Sequence, residues 1–210
     1  MALRLGDTAP DFTAASSDGE LNFYDYLGDS WGILFSHPAD FTPVCTTELG
    51  TVAKLKPQFD QRNVKVIGLS VDAVDSHTGW ISDINETQST TVNFPIIADH
   101  DRAVAEAYDM IQPEQDATAT VRSVFIIDPA KKLRLTLTYP ASTGRNFDEL
   151  LRVIDSLQLT EYNKVATPAN WTKGDDVVIL PTVSNEDAEA LYPGFTTVKP
   201  YLRTTADPSK

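Results

Sequence analysis

The sequence predicts an α/β protein, a sandwich of helices against a mostly parallel or mixed sheet. Three observations carry that reading. Short apolar runs, too brief for buried helices, punctuate the first two-thirds of the chain. Between them, apolar residues recur at three- and four-residue spacing. Polar and proline-bearing bends separate the two patterns. A chain of 210 residues can bury a full core, as one domain or as one domain with an appendage.

Taken in order, Trp31-Gly32-Ile33-Leu34-Phe35 reads as a buried strand. Pro38 and Pro43 then interrupt the backbone, and Thr42-Pro43 reads as an N-cap followed by proline at the first helical position. In the helix that follows, Leu49, Val52, Leu55 and Phe59 share a face, and Pro57 predicts a kink or an early end. Val64–Val71 is a second buried strand. Asp72–Ser76 is a polar bend, and Asp75–Thr87 a helix with Trp80 and Ile84 four apart. Asp101–Tyr108 is a short alanine-rich helix, and Gln112–Asp116 a surface loop. Ser123–Ile127 is a buried strand stopped by Asp128-Pro129. Leu133–Tyr139 alternates apolar and polar residues, so it is a strand with one wet face, paired to its predecessor as a hairpin. In Asn146–Gln158, the residues Phe147, Leu150, Leu151, Ile154 and Leu157 form one apolar stripe, a core face. Composition changes near Lys164-Val165-Ala166-Thr167-Pro168, dividing residues 1–163 from an extension, 164–210. The extension carries Trp171, a strand Val177–Leu180, an acidic helix Asn185–Leu191 and a polar tail. It is too short for a robust core of its own and is expected to pack on the main domain or on a second subunit.

Composition narrows the function. A net charge of −13 repels phosphates, so no nucleic-acid partner and no anionic membrane surface is expected. The start, Met-Ala-Leu-Arg-Leu-Gly-Asp, shows no long apolar segment, so neither a secretory signal nor an integral membrane segment is expected. A single cysteine makes no intramolecular disulfide, which favours a reducing, cytoplasmic setting. Three histidines and one cysteine show no zinc-type spacing, so no metal and no cofactor is expected.

That cysteine, Cys45, falls in the first turn of the predicted helix after Thr42-Pro43. Unpaired backbone N–H groups and the positive end of the helix dipole gather there, and both favour thiolate over thiol. A helix dipole supplies about 0.3–1 kcal/mol, up to ~2 when partly buried, too little to make the thiolate dominant. A further donor is needed, and an arginine suits it best. Read without that activation, Cys45 is a small buried hydrophobe.

The string Pro38…Thr42…Cys45 resembles the peroxiredoxins, whose signature is Pro-x-x-x-Thr-x-x-Cys. The longer Phe41-Thr42-Pro43-Val44-Cys45-Thr46-Thr47-Glu48 is similar to the one-cysteine, peroxiredoxin-six-like group. Further strings agree along nearly the whole chain: Ile33–Pro38, Phe94–Asp99, Tyr139–Asn146, Val165–Trp171 and Tyr201-Leu202-Arg203. The resemblance implies a thioredoxin-like fold with a C-terminal peroxiredoxin extension that helps form a homodimer. It implies an antioxidant oxidoreductase, a thiol peroxidase with a redox-active centre, reducing hydrogen peroxide and organic hydroperoxides. By position, Cys45 is the peroxidatic cysteine, Thr42 the hydroxyl that binds peroxide, and Pro38 the shield of the thiolate. Arg122 is the active-site arginine, Arg145 a supporting one, and Glu48 the carboxylate that fixes the arginine. His37, just after a buried strand, is a supporting residue and more structural than basic, since an ionised cysteine needs no base. His77 and His100 read as surface residues. The oxidised product is Cys45 sulfenic acid. With no second cysteine it must be resolved by an external thiol, glutathione or a redox protein.

Gly28-Asp29-Ser30-Trp31-Gly32 also fits the Gly-x-Ser-x-Gly pattern of serine hydrolases. The context differs, because a strand follows Ser30 where a nucleophile elbow leads into a helix. Some mammalian members of the resembled group use such a serine with a histidine and an aspartate. The corresponding residues are Tyr24 and Ala130, which argues against a lipid-directed hydrolase. A non-enzymatic thiol sensor or holdase is the other alternative, and sub-stoichiometric peroxide consumption would mark it.

Overall fold

A computed structural model describes residues 3–209. Met1 and Ala2, the start of the segment without a long apolar run, lie outside them. The chain opens with a hairpin, β1 (Thr13–Ser16) and β2 (Gly19–Asn22), and a short helix, α1 (Phe23–Leu27). There follow β3 (Trp31–Ser36), α2 (Pro43–Gln61), β4 (Val64–Ser70), α3 (Val74–Gln88), β5 (Ile96–Ala98) and α4 (Ala103–Ala107). A hairpin, β6 (Arg122–Ile127) and β7 (Leu133–Tyr139), completes a seven-stranded sheet of order β2-β1-β5-β4-β3-β6-β7. The sheet is mixed: β3, β4 and β5 run parallel, while β6 lies antiparallel to β3. All six residues of β3 are buried, because the strand is flanked on both edges and covered on both faces. β2 and β7 are the edge strands, and the alternation of β7 leaves one of its faces partly wet.

One side of the sheet packs a core that includes Phe23, Leu27, Leu34, Ile67, Leu69, Ile97, Tyr108, Phe125 and Ile127. The first hairpin and α1 have no counterpart in the sequence pattern: strands of four residues are too short to show a period. α2 does not end early at Pro57, but runs on to Gln61. Proline removes the N–H that would reach the Ala53 carbonyl, and Asn93 Nδ2 donates to that oxygen instead, at 3.3 Å. α2 and α3 approach closely at Gly50, where a Cβ would stand 2.4 Å from Gln88 Cγ.

The chain divides into two compact units, Met1–Phe147 and Asp148–Lys210. The division falls after the first residue of α5 (Phe147–Tyr162), whereas the compositional change follows the helix; α5 also outruns the predicted Gln158 by four residues. The second unit holds β8 (Val165–Ala166), β9 (Val177–Ile179), α6 (Asn185–Leu191), β10 (Thr196–Lys199) and β11 (Leu202–Thr205). Its strands form an antiparallel sheet of order β10-β11-β9-β8. It has an apolar cluster of its own around Trp171, with Leu159 of α5 joining Val177, Ile179 and Tyr192. Among the described residues no helix is long and apolar enough to cross a membrane.

Candidate active site

The loop 37–42 leaves β3 and turns the chain into α2. Thr42 is the N-cap residue, with extended backbone (φ −115°, ψ 147°), and Pro43 opens the helix. Cys45 is therefore the third helical residue, in the turn whose amides lack intrahelical acceptors. The Thr42 hydroxyl does not cap that turn. It donates to the Ala39 carbonyl at 2.8 Å, so its lone pairs remain as acceptors and the first-turn amides take no partner from it. Pro38 is half-buried at the loop's start.

Cys45 is fully buried, and Arg122 Nη1 lies 3.2 Å from its sulfur. The sheet register produces this contact. Phe35 of β3 pairs with Val124 of β6, so Arg122, the first residue of β6, lies level with the loop that leaves β3. Arg122 is 2% exposed, not a surface residue at a strand edge. Its Nε and Nη2 both donate to the Ala141 carbonyl, at 3.0 and 2.7 Å, which fixes the plane of the guanidinium. Nη1 is left for the sulfur and for Glu48 Oε2, at 2.7 Å.

Glu48 lies one turn after Cys45 and is buried between two arginines. Arg145 gives it a backbone N–H at 2.8 Å, Nε at 3.0 Å and Nη2 at 2.7 Å. Arg145 Nη1 reaches the carbonyls of Ser36 (2.8 Å) and Ser123 (3.0 Å), tying β3 to β6. Burial alone would raise the Glu48 carboxyl, but the hydrogen bonds and charge of Arg145, with the charge of Arg122, bring it below the usual glutamate range. Burial pushes Arg145 below the usual arginine range, and Glu48 opposes that push. Two guanidiniums and one carboxylate leave the cluster at net +1, so an anionic Cys45 makes it neutral. At 3.2 Å and an effective dielectric of ~20, the sulfur–guanidinium attraction is about 5 kcal/mol before desolvation.

His37 is wholly buried. Its Nε2 bonds Asp40 Oδ1 at 2.8 Å, and its ring lies 5.1 Å from the Trp80 ring. Asp40 Oδ2 accepts from Ser76 Oγ at 2.8 Å and faces His77 Nδ1 at 2.7 Å, while the Asp40 N–H donates to Asp72 Oδ2 at 2.9 Å. His77 is thus not a surface residue but completely buried; His100 is exposed as expected. The missed signal was spacing: His77, Trp80 and Ile84 fall on one stripe of α3, and all three are buried. Asp40 and the Ala141 carbonyl were also missed, the latter because a backbone atom leaves no trace in residue type.

His37, Asp40 and His77 are the metal-type grouping among the described residues, with ligand atoms within 4.8 Å of one another. Separations of 2.7 and 2.8 Å are hydrogen-bond contacts, and an ion needing ~2.0–2.1 Å to each nitrogen would have to force them apart. Ser30 is nearly buried, and its hydroxyl donates to Asn63 Oδ1 at 2.8 Å. An amide oxygen is no base, so the hydrolase pattern finds no support there.

The geometry amounts to a buried sulfur facing a fixed guanidinium, with no base in its hydrogen-bonding shell among the described residues. Comparison with known proteins adds to it. A match to the AhpC/TSA family runs over residues 5–136, and a match to the C-terminal domain of 1-Cys peroxiredoxin over residues 156–194. The 1-Cys peroxiredoxin of Dictyostelium discoideum is 59% identical, over 99% of this chain and 87% of that protein. The crystal structure of a C45S mutant of peroxiredoxin 6 from Arenicola marina superimposes with a TM-score of 0.95, at 48% identity and 100% coverage of both chains. The solved structure of the yeast mitochondrial 1-Cys peroxiredoxin, described with thiol resolution via glutathione/thioredoxin systems, gives a TM-score of 0.93 at 57% identity, covering 97% of this chain and 99% of the other.

Proposed function

Because the chain belongs to the one-cysteine peroxiredoxins and is a thiol peroxidase, we propose a role for each residue around Cys45. The Cys45 thiolate attacks one oxygen of a hydroperoxide. The O–O bond breaks, the attacked oxygen stays on sulfur with its hydrogen as sulfenic acid, and the second oxygen takes a proton from solvent and leaves as water or an alcohol. Arg122 Nη1 holds the sulfur as an anion and donates to the oxygen on which charge builds. Thr42 Oγ1, its own proton committed to Ala39, accepts the peroxide hydrogen, and the first-turn amides donate from the other side. Pro38 shields the thiolate. Glu48 and Arg145 hold Arg122 in place, and His37 supports the loop through Asp40.

A groove of about 390 Å³, rimmed by Phe41, Thr42 and Trp80, borders the site and supports organic hydroperoxides as substrates beside hydrogen peroxide. The external thiol is glutathione or a thioredoxin-type protein, by analogy with the yeast relative. It attacks the sulfenic sulfur and releases water, and a second thiol frees the Cys45 thiolate. The edge strand β7 supports a homodimer of two such chains. A lone cysteine that must be kept reduced supports a cytoplasmic setting.

The contact between Arg122 Nη1 and Cys45 Sγ carries this reading. Rapid mixing of the reduced protein with peroxide, following thiol loss, tests it. Oxidation should be second-order, absent in Cys45→Ser, and slowed by about 100-fold or more in Arg122→Ala, the scale of one lost transition-state donor. An Arg122→Ala variant as fast as the parent would remove the role given to that arginine.

A further inference from the structure

The buried histidines flanking Asp40 differ in their partners. His77 Nδ1 faces Asp40 Oδ2 at 2.7 Å, and His77 Nε2 faces the Ile97 carbonyl at 3.1 Å. A carbonyl only accepts, so Nε2 carries a hydrogen. Asp40 Oδ1 faces His37 Nε2 and Oδ2 accepts the Ser76 hydroxyl proton; with that carboxylate ionised, the His77 Nδ1 that faces Oδ2 carries a hydrogen as well. Burial would raise Asp40, but the hydrogen bonds of His37 and His77 outweigh it and hold the group well below the carboxylate range. His37 contrasts with its neighbour. Its Nδ1 is, among the described residues, the one buried side-chain nitrogen or oxygen without a hydrogen-bond partner. With Nε2 donating to Asp40, a neutral ring leaves Nδ1 a bare lone pair, whereas a charged ring would bury an unpaired N–H. The ring centroids lie 6.2 Å apart, where two cations would repel. One imidazolium and one carboxylate make the network neutral; a second proton would not.

We propose that His77 is a positioning residue for peroxide reduction, an imidazolium built into α3 that holds Asp40 and, through it, the loop carrying Pro38 and Thr42. This rests on reading that loop as the peroxide pocket. The loop's other anchors hold its backbone: Asp72 Oδ2 accepts from the Asp40 N–H, and Thr120 Oγ1 donates to the His37 carbonyl. Asp40 takes its side-chain hydrogen bonds from His37, Ser76 and His77, two of them on α3. α3 also places Trp80 against His37 and donates Trp80 Nε1 to Thr46 Oγ1, next to Cys45, at 3.1 Å. The charge around the sulfur comes from Arg122, Glu48 and Arg145, none of which touches His77. Removing the imidazolium should therefore misplace Thr42 and leave the ionisation of Cys45 alone.

Nitrogen-15 NMR of the full-length, reduced, histidine-labelled protein at neutral pH tests the proton count, with His77→Gln for assignment. His77 should show two protonated ring nitrogens, and His37 one protonated and one bare. A bare nitrogen on His77 overturns the proposal, whether or not the variant folds. In kinetics, His77→Gln should lower the second-order rate constant for peroxide by about 10- to 100-fold, the scale of a misplaced reacting group. The thiolate absorbance of Cys45 across pH should match the parent. Asp40→Asn combined with His77→Gln should cost little more than either alone. An unchanged rate, additive losses, or a thiolate titration that moves with the rate would each overturn it. A rate lost in Cys45→Ser but intact in His77→Gln sinks this role alone; a rate intact in Cys45→Ser sinks the peroxidase reading.

Discussion

Glu48 receives four hydrogen bonds from two arginines while almost wholly buried, and among the described residues no other carboxylate shares its place between them. Replacing it with glutamine would leave two buried guanidiniums facing each other, a change on the order of 3–5 kcal/mol in stability. Acidification should act in the same direction. Glu48 and Asp40 both ionise more readily folded than unfolded, so their stabilisation is complete above the ordinary carboxylate values of 4.5 and 3.8 and is lost as pH falls below them. Burial lowers His37, opposed by Asp40, so the unfolded chain binds that proton first and stability already begins to drop below 6.5. The melting temperature should be level near neutrality, decline below 6.5 and fall more steeply below 4.5. Glu48→Gln should flatten part of the lower limb. A melting temperature constant from neutrality down to pH 4 would refute the assignment. The need for an arginine was legible in the Thr-Pro-x-Cys turn, while the choice of Arg122, Arg145 and Glu48 came from the family resemblance. The arginine's orientation was not, because a backbone carbonyl, Ala141, sets it.

At the scale of elements, α2 shows how a helix tolerates an internal proline. The Ala53 carbonyl, deprived of its partner by Pro57, is covered by Asn93 from the segment before β5. Asn93→Ala should cost about 1–2 kcal/mol, as for a buried acceptor left unpaired. Pro57→Ala should erase most of that cost by restoring the helical N–H, so a double-mutant cycle read by chemical denaturation should be clearly non-additive. Additive effects would show that the amide does not serve the carbonyl. Elements with a strong period were readable from sequence: the all-apolar run of β3, the alternation of β7 and the stripe of α5. The β1–β2 hairpin was not, being too short for a period, and neither was the run of α2 past Pro57, which depends on a residue distant in sequence. His77 escaped notice because a polar residue on an apolar stripe was read by type instead of by position.

Over the whole molecule, a net charge of −13 has little effect on a neutral peroxide but opposes an anionic reductant. Regeneration of Cys45 by glutathione should quicken by about two- to threefold as salt screens that repulsion, while regeneration by an uncharged dithiol should not change. Equal salt dependence for both thiols would show that the charge does not act at the site. The two-unit division was legible only in outline, because α5 carries no compositional mark of the unit it joins. Arg145 has one more consequence. The guanidinium that orders the reaction centre also fastens two neighbouring strands through Ser36 and Ser123. In a cell, lesions at Arg145 should therefore show as missing protein, cleared by quality control, whereas lesions at Cys45 or Thr42 should leave abundant but silent enzyme. Abundance measured beside turnover would thus tell from which side of the sulfur a variant has failed.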